Sequence, residues 1–217
     1  WRLMSRLPGV TFDAVASSGQ AAAAAAALGE FHRALSDLDH EFVGLRVGVH
    51  DTPRHLAALR EAVARHDEHR LAAVVGPLAE QILQAAAGLP ALEGLPTRVV
   101  HGDPKLNNVV FEGPGVAERE RAVGLIDLDT VAPMALHLEL GDAWRSWCNP
   151  KGEDETVARF DLDVFEASVR GYAAGGPSVS AAEREALVFA VELISLELSA
   201  RFLADALDER YFGWNSE

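Results

Sequence analysis

Three short apolar runs, Val99-Val100, Val109-Val110-Phe111 and Val123-Gly-Leu-Ile126, constrain this chain more than any other feature. Runs of this length and composition fit buried strands rather than helices. Gly113-Pro-Gly115 lies between the second and third runs, so those two predict a hairpin. Their pairing brings Asn108, which precedes one strand, close to Asp127, which follows the other. The segment entering the hairpin is polar, His101-Gly-Asp-Pro-Lys-Leu-Asn-Asn108, and the segment leaving it is acidic, Ile126-Asp-Leu-Asp129. A shared site at that end of the hairpin follows from the geometry.

The residue types suit one chemistry. Asn108 and Asp127 offer hard oxygen ligands, which favour magnesium over a soft metal. Asp129 is either a further ligand or only the end of the strand. Asp103 would orient an attacking hydroxyl or accept its proton, and Lys105 would neutralise charge on a transferred phosphoryl group. Phosphoryl transfer through a loose transition state needs positioning and charge neutralisation more than covalent help. An isolated His-Gly-Asp is often only a turn, and an apolar run ending in aspartate is often a strand entering a loop. Both together, with Lys105 and Asn108 in register, exceed ordinary turn chemistry. The spacing reads as the catalytic half of a phosphotransferase.

Asp103-x-Lys105-x-x-Asn108 followed by a strand-borne acid resembles the catalytic loop and metal-binding segment of the protein-kinase-like fold. The resemblance is to its small-molecule branch, the aminoglycoside phosphotransferase and choline kinase family. His-Gly-Asp stands where protein kinases carry His-Arg-Asp, and Ile-Asp-Leu-Asp stands for Asp-Phe-Gly. Phe31-His-Arg-Ala-Leu-Ser-Asp-Leu38, His50-Asp-Thr-Pro-Arg54, Gly141-Asp142, Phe165-Glu-Ala-Ser-Val-Arg-Gly-Tyr172 and Arg201-Phe-Leu-Ala-Asp205 are further similar to the N-acetylhexosamine 1-kinase group.

That resemblance implies an α+β, mostly helical fold: a protein-kinase-like C-terminal lobe whose small β-hairpin carries the catalytic and metal-binding loops. It implies ATP as phosphoryl donor, Mg2+ as cofactor and a small-molecule hydroxyl as acceptor, with an N-acetylhexosamine in first place. Asp103 and Lys105 would be catalytic, and Asn108, Asp127 and Asp129 would meet the metal and nucleotide. His101 and Asp142 would brace the loop, and Arg201 would contact the acceptor. The family's fold has an amino-terminal lobe with a phosphate-covering loop and a nucleotide-pairing lysine. No such region precedes His101, so residues 1–4 read as the hinge strand of a missing lobe and 5–217 as the catalytic lobe.

Composition narrows the partners. The chain has 217 residues, 49% of them hydrophobic, with 33 acids against 19 bases for a formal charge of −14. That balance argues against a nucleic-acid surface, which needs clustered lysine and arginine. No apolar run is long enough to span a membrane, and the alanine run at 21–27 flows into a charged helix. A cytoplasmic location is expected. Cys148 is the only cysteine, beside Trp144 and Trp147, and reads as a packed thiol.

Helices are expected at Ala21–Leu38, from Pro53 with Leu56, Leu59 and Val63 on one face, at His69–Ala87, Leu138–Trp147 and Asp161–Ala174. A long last helix should run from Ser180, capped by Glu183, to about Leu207. His32, His50 and His137 read as structural or surface residues. Arg145, Glu192 and Glu197 are open between substrate contact and salt bridges. Two alternatives to the kinase stay open: a binding module or pseudokinase, and a metal-dependent phosphoesterase, which generally needs more metal ligands.

Overall fold

A computed structural model describes residues 6–45, 49–151 and 157–210. The expected hinge at residues 1–4 lies outside the described residues.

The alanine run does more than favour a helix. It forms α1 (Ser18–Ala34), entered through Ser17, whose hydroxyl accepts the Gln20 N–H. Against it lies α5 (Leu162–Gly175), capped by Asp161, which accepts from the Asp163 and Val164 amides. The two helices meet backbone to backbone: a Cβ at Gly171 would collide with Ala22 O, and one at Gly175 with Ala26 O. Small side chains on both faces are therefore a packing requirement as well as a propensity effect.

Between these helices in sequence lie two antiparallel sheets of two strands each. β1 (Thr97–Val100) pairs with β4 (Ala132–Ala135), and β2 (Val109–Phe111) pairs with β3 (Ala122–Leu125). The β2–β3 hairpin is the one expected, with Val109 opposite Leu125 and Val110 opposite Gly124. β4 was not expected, because Ala132-Pro-Met-Ala135 carries no β-branched residue. Pro133 is tolerated there because each strand of a two-stranded sheet is an edge. The polar loop 101–108 and the acidic segment 126–131 are thus both enclosed: each leaves one sheet and enters the other.

The main core joins this region to the helices. Phe111, Leu28, Leu136, Leu140 and Trp144 are buried in it, with Leu106 and Val109 beside the loop. α4 (Leu136–Trp147) supplies the central stripe.

A second layer is helical. α2 (Thr52–Arg65) starts at Asp51, whose side chain accepts the Arg54 N–H, with Pro53 in its first turn. α3 (Ala72–Ala87) and the last helix pack on it through Leu59, Ala62, Val75, Ala79 and Ala200. The single long helix expected from Ser180 is two: α6 (Ala181–Leu187) and α7 (Ala190–Asp208). The capping box at Ser180 and Glu183 is present. The break comes where the Val188 and Phe189 amides bond carbonyls three residues back, tightening the turn. α7 then starts against α4 at Gly141, where a side chain would strike Ala190 O. No helix among the described residues is long and apolar enough to cross a membrane.

Candidate active site

Gly102 lets the loop turn. Its φ is +83°, and a Cβ would collide with the Thr130 carbonyl oxygen. Only glycine meets both demands cheaply. The Thr130 hydroxyl donates to His101 O at 2.9 Å, so the loop and the acidic segment are tied at this crossing.

His101 is fully buried and braces both segments. Its Nε2 lies 2.8 Å from Ile126 O, and the Asp103 N–H donates to its Nδ1 at 3.4 Å. With Nε2 donating and Nδ1 accepting, the neutral tautomer is the one that fits.

The carboxylate that clamps this loop belongs to Glu139 of α4. The amides of His101 and Gly102 donate to its two oxygens at 3.0 and 2.9 Å. Glu139 is 1% exposed, and His32 Nε2 lies 3.4 Å from its Oε1. His32 in turn meets the Tyr172 hydroxyl through Nδ1 at 2.9 Å. Burial first, then the charges of Glu139 and Glu183 against that of Arg98, push the Tyr172 hydroxyl well above its ordinary range. It therefore stays protonated. Asp142, expected in the bracing role, instead pairs with Arg145 one turn on, Oδ1 to NH2 at 3.0 Å. Sequence reasoning missed Glu139, although a signal existed: the residue falls on the same helical stripe as Leu136, Leu140 and Ala143.

The reacting end of the loop is more open. Lys105 Nζ sits 3.3 Å from Asp103 Oδ1, both side chains partly exposed. Pro104 O accepts from the Trp147 indole at 2.9 Å, which pins the loop between them to α4. Asn108 is buried, and its amide nitrogen donates to Asp103 O at 2.9 Å. Its Oδ1 keeps its acceptor positions, with no donor on it among the described residues. The Ile126 N–H donates to Asn108 O at 2.9 Å, so Asn108 and Asp127 flank one hydrogen bond.

Asp127 has φ +62° and ψ +58°. A left-handed non-glycine residue costs on the order of 1 kcal/mol, and such strain clusters at functional positions. The donor set is all oxygen, which fits magnesium. Among the described residues no group of three or more histidine, cysteine, aspartate or glutamate side chains could hold a metal ion. Asn108 and Asp127 are the residues here that could hold such an ion together with phosphate and water oxygens.

Asp129, in the tight turn Leu128–Thr130, lines a cavity of about 310 Å³ beside the loop, together with Gly102, Thr130 and His50. Arg201, on α7, is half-buried and makes no hydrogen bond or ion pair among the described residues. Glu197, one turn before it, is 1% exposed and bonds His50 and Thr52. His50 is thus a buried partner rather than a surface residue. Cys148 is fully buried, and burial followed by the charge of Asp161 pushes its thiol up to about 12. It is an inert packed thiol, as expected.

The family model described as "Phosphotransferase enzyme family" matches residues 1–177. The chain belongs to that family. An aminoglycoside-3'-phosphotransferase of type VIII superposes with a TM-score of 0.51 at 25% identity, over 88% of this chain and 66% of its own. The aminoglycoside phosphotransferase APH(3'')-Id from Streptomyces rimosus, solved with ADP and streptomycin, gives 0.46 at 21% identity, over 87% and 67%. A choline/ethanolamine kinase family protein from Mesorhizobium loti gives 0.49 at 20%, over 86% and 54%. This phosphotransferase chain therefore spans between 54% and 67% of the length of these proteins. Its fold is α+β, mostly helical and of the protein-kinase-like phosphotransferase type.

Proposed function

We propose that this chain is the catalytic lobe of an ATP-dependent small-molecule kinase, moving the γ-phosphoryl group to an acceptor hydroxyl. The observation that carries the reading is the arrangement at the loop: Asp103 beside Lys105, and Asn108, anchored through its amide nitrogen, next to a left-handed Asp127. Asp103 orients the hydroxyl and takes its proton, the hydroxyl oxygen bonds phosphorus, and ADP leaves. Lys105 neutralises charge on the transferred group. Mg2+ held by Asn108 and Asp127 would supply charge neutralisation at the phosphate oxygens. His101 and Glu139 keep these groups in place, since a small misplacement at a phosphoryl-transfer site costs rate steeply.

A second lobe is part of this reading, contributing the cover over the nucleotide. The relatives above are longer than this chain, in keeping with such a lobe. The acceptor we propose is a sugar, with an N-acetylhexosamine first. Its support is the likeness of His50–Arg54, Gly141-Asp142 and Arg201–Asp205 to the group that acts on such sugars. Arg201 is the proposed acceptor contact, being half-buried without a partner among the described residues. A cytoplasmic setting, where ATP and sugars meet, completes the proposal.

Calorimetric titration with ATP, with and without Mg2+, tests the nucleotide half of this reading. Phosphorus NMR of acceptor mixtures tests transfer. Asp103→Asn should retain ATP binding and lose transfer by two orders of magnitude or more, about the contribution of a positioned base. Near-normal turnover in that variant removes Asp103 from its role.

A further inference from the structure

The Tyr172 hydroxyl ends a chain of polar contacts that begins at the loop 101–108. The His101 and Gly102 amides donate to Glu139 at 3.0 and 2.9 Å, and Glu139 Oε1 faces His32 Nε2 at 3.4 Å. His32 Nδ1 then lies 2.9 Å from the Tyr172 hydroxyl. The Glu139 and His32 side chains are fully buried, and Tyr172 is 4% exposed. Neither lysine nor arginine pairs with Glu139 among the described residues, so His32 is the side chain that faces its charge.

The hydroxyl decides which way the imidazole works. A tyrosine is protonated across the neutral range even at its ordinary pKa of about 10. Among the described residues, His32 Nδ1 is the acceptor within reach of its one hydrogen. Were the ring proton on Nδ1, that hydrogen would lose its acceptor and the Nε2 lone pair would face a carboxylate oxygen. The contacts therefore select the tautomer with its hydrogen on Nε2, turned to Glu139. At 3.4 Å this contact is longer than a full hydrogen bond, so its pull depends on how the ring is held.

Tyr172 is itself held firmly. Gly171 and Gly175 on either side of it in α5 pack on the α1 backbone at Ala22 and Ala26. Its ring stands edge-on to His32, with centroids 5.6 Å apart. Phe31, next to His32 on α1, reaches the His101 ring at 6.1 Å.

Resting on the kinase reading above, we infer that Tyr172 is a positioning residue for the reaction. Its hydroxyl fixes the His32 imidazole, the imidazole steadies Glu139, and Glu139 holds the two amides that precede Asp103. α5 thus acts on the loop through two intervening side chains.

Tyr172→Phe keeps the ring and removes only the hydroxyl. Two measurements on the full chain read the result: the His32 ring-nitrogen shifts in NMR, and hydrogen exchange at the His101 and Gly102 amides. Val75 and Ala79 of α3, which pack in separate clusters, serve as reference amides. The His32 Nδ1 signal should move toward that of an acceptor without a donor. The two loop amides should exchange about threefold or more faster relative to the references, within the weight of one hydrogen bond. Ala167→Gly, buried one turn earlier on α5, weakens that helix by a comparable amount without touching the hydroxyl. Its loop amides should keep their wild-type ratio to α3. An unmoved His32 signal, or unchanged loop exchange in Tyr172→Phe, overturns the inference. So does equal loop exposure in Ala167→Gly, which would assign the effect to the seating of α5. Failure of the kinase reading looks different: His32 and the loop amides still respond to Tyr172→Phe while the wild type forms no phosphorylated product.

Discussion

Glu139→Gln is the sharpest test of how the catalytic loop is held. The wild-type carboxylate takes two backbone amides, His101 N–H on Oε1 and Gly102 N–H on Oε2, at 1% exposure. Glutamine keeps the shape but has one acceptor oxygen. Whichever way its amide turns, one of these N–H groups faces an NH2. The loss of one charge-assisted bond is about 1.5–3 kcal/mol, and the buried donor left without an acceptor adds roughly 1–3 kcal/mol. The expected cost is therefore about 3 kcal/mol or more, a large share of the 5–15 kcal/mol typical of a domain. Asp142→Asn, three residues on, weakens the pair with Arg145 within the same helix and leaves both loop amides with their acceptor. Urea unfolding followed by far-UV circular dichroism measures both, and hydrogen exchange at the His101 and Gly102 amides localises the first. A Glu139→Gln variant within about 0.5 kcal/mol of wild type refutes the clamp, given the size of the terms it removes.

Three further outcomes follow from the geometry. Gly102→Ala must place a Cβ at φ +83° against Thr130 O, and thermal melts should show a loss of about 2 kcal/mol or more. Burial alone would raise the Glu183 carboxyl, but the Arg98 bonds at 2.7 and 2.8 Å and the Ser180 contacts outweigh it and hold it at about 2. Because that value lies below the ordinary 4.5, the stabilisation is complete above about 4.5 and fades as pH falls toward about 2. Arg98→Ala should flatten that acid limb in pH-dependent unfolding, and an unchanged limb would rule the pair out as its source. Asp127→Asn keeps a side chain that tolerates the left-handed conformation, so stability should change by less than about 0.5 kcal/mol. Magnesium-dependent ATP binding by calorimetry should fall at least about tenfold in the same variant, as a carboxylate ligand becomes neutral.

Much of this architecture was legible because it rests on local rules. Val109–Phe111 and Val123–Leu125 are short apolar runs around a Gly-Pro-Gly turn, and they pair as that pattern demands. Pro53 and Ser180 announced helix starts through first-turn and capping chemistry. β4 was hidden because its partner β1 is distant in sequence and its own residues carry no strand signal. The α6–α7 break was hidden for a similar reason: apolar residues continue through Val188 and Phe189, and the pressure to restart comes from α4 across the core. In the candidate site, it is the sequence spacing that proposes Asp103, Lys105, Asn108 and Asp127. It proposes neither Glu139 nor His50, since each is defined by a partner far away in sequence, and a lone acid or histidine carries no label for that partner.

The backbone contact between α1 and α5 also sets an order of completion during synthesis. α1 emerges first and can form early, because alanine has the highest intrinsic helix propensity and its small side chains leave little apolar surface to trap. The helix that seals it, carrying Gly171, Tyr172 and Gly175, is made only after the whole catalytic segment has been translated. Closing so long a loop is the slow kind of folding event. A nascent chain that has just passed Asp142 thus already holds every loop residue from His101 to Asp129, yet lacks the wall against which His32 and Leu28 are buried. The catalytic groups are made early and seated late.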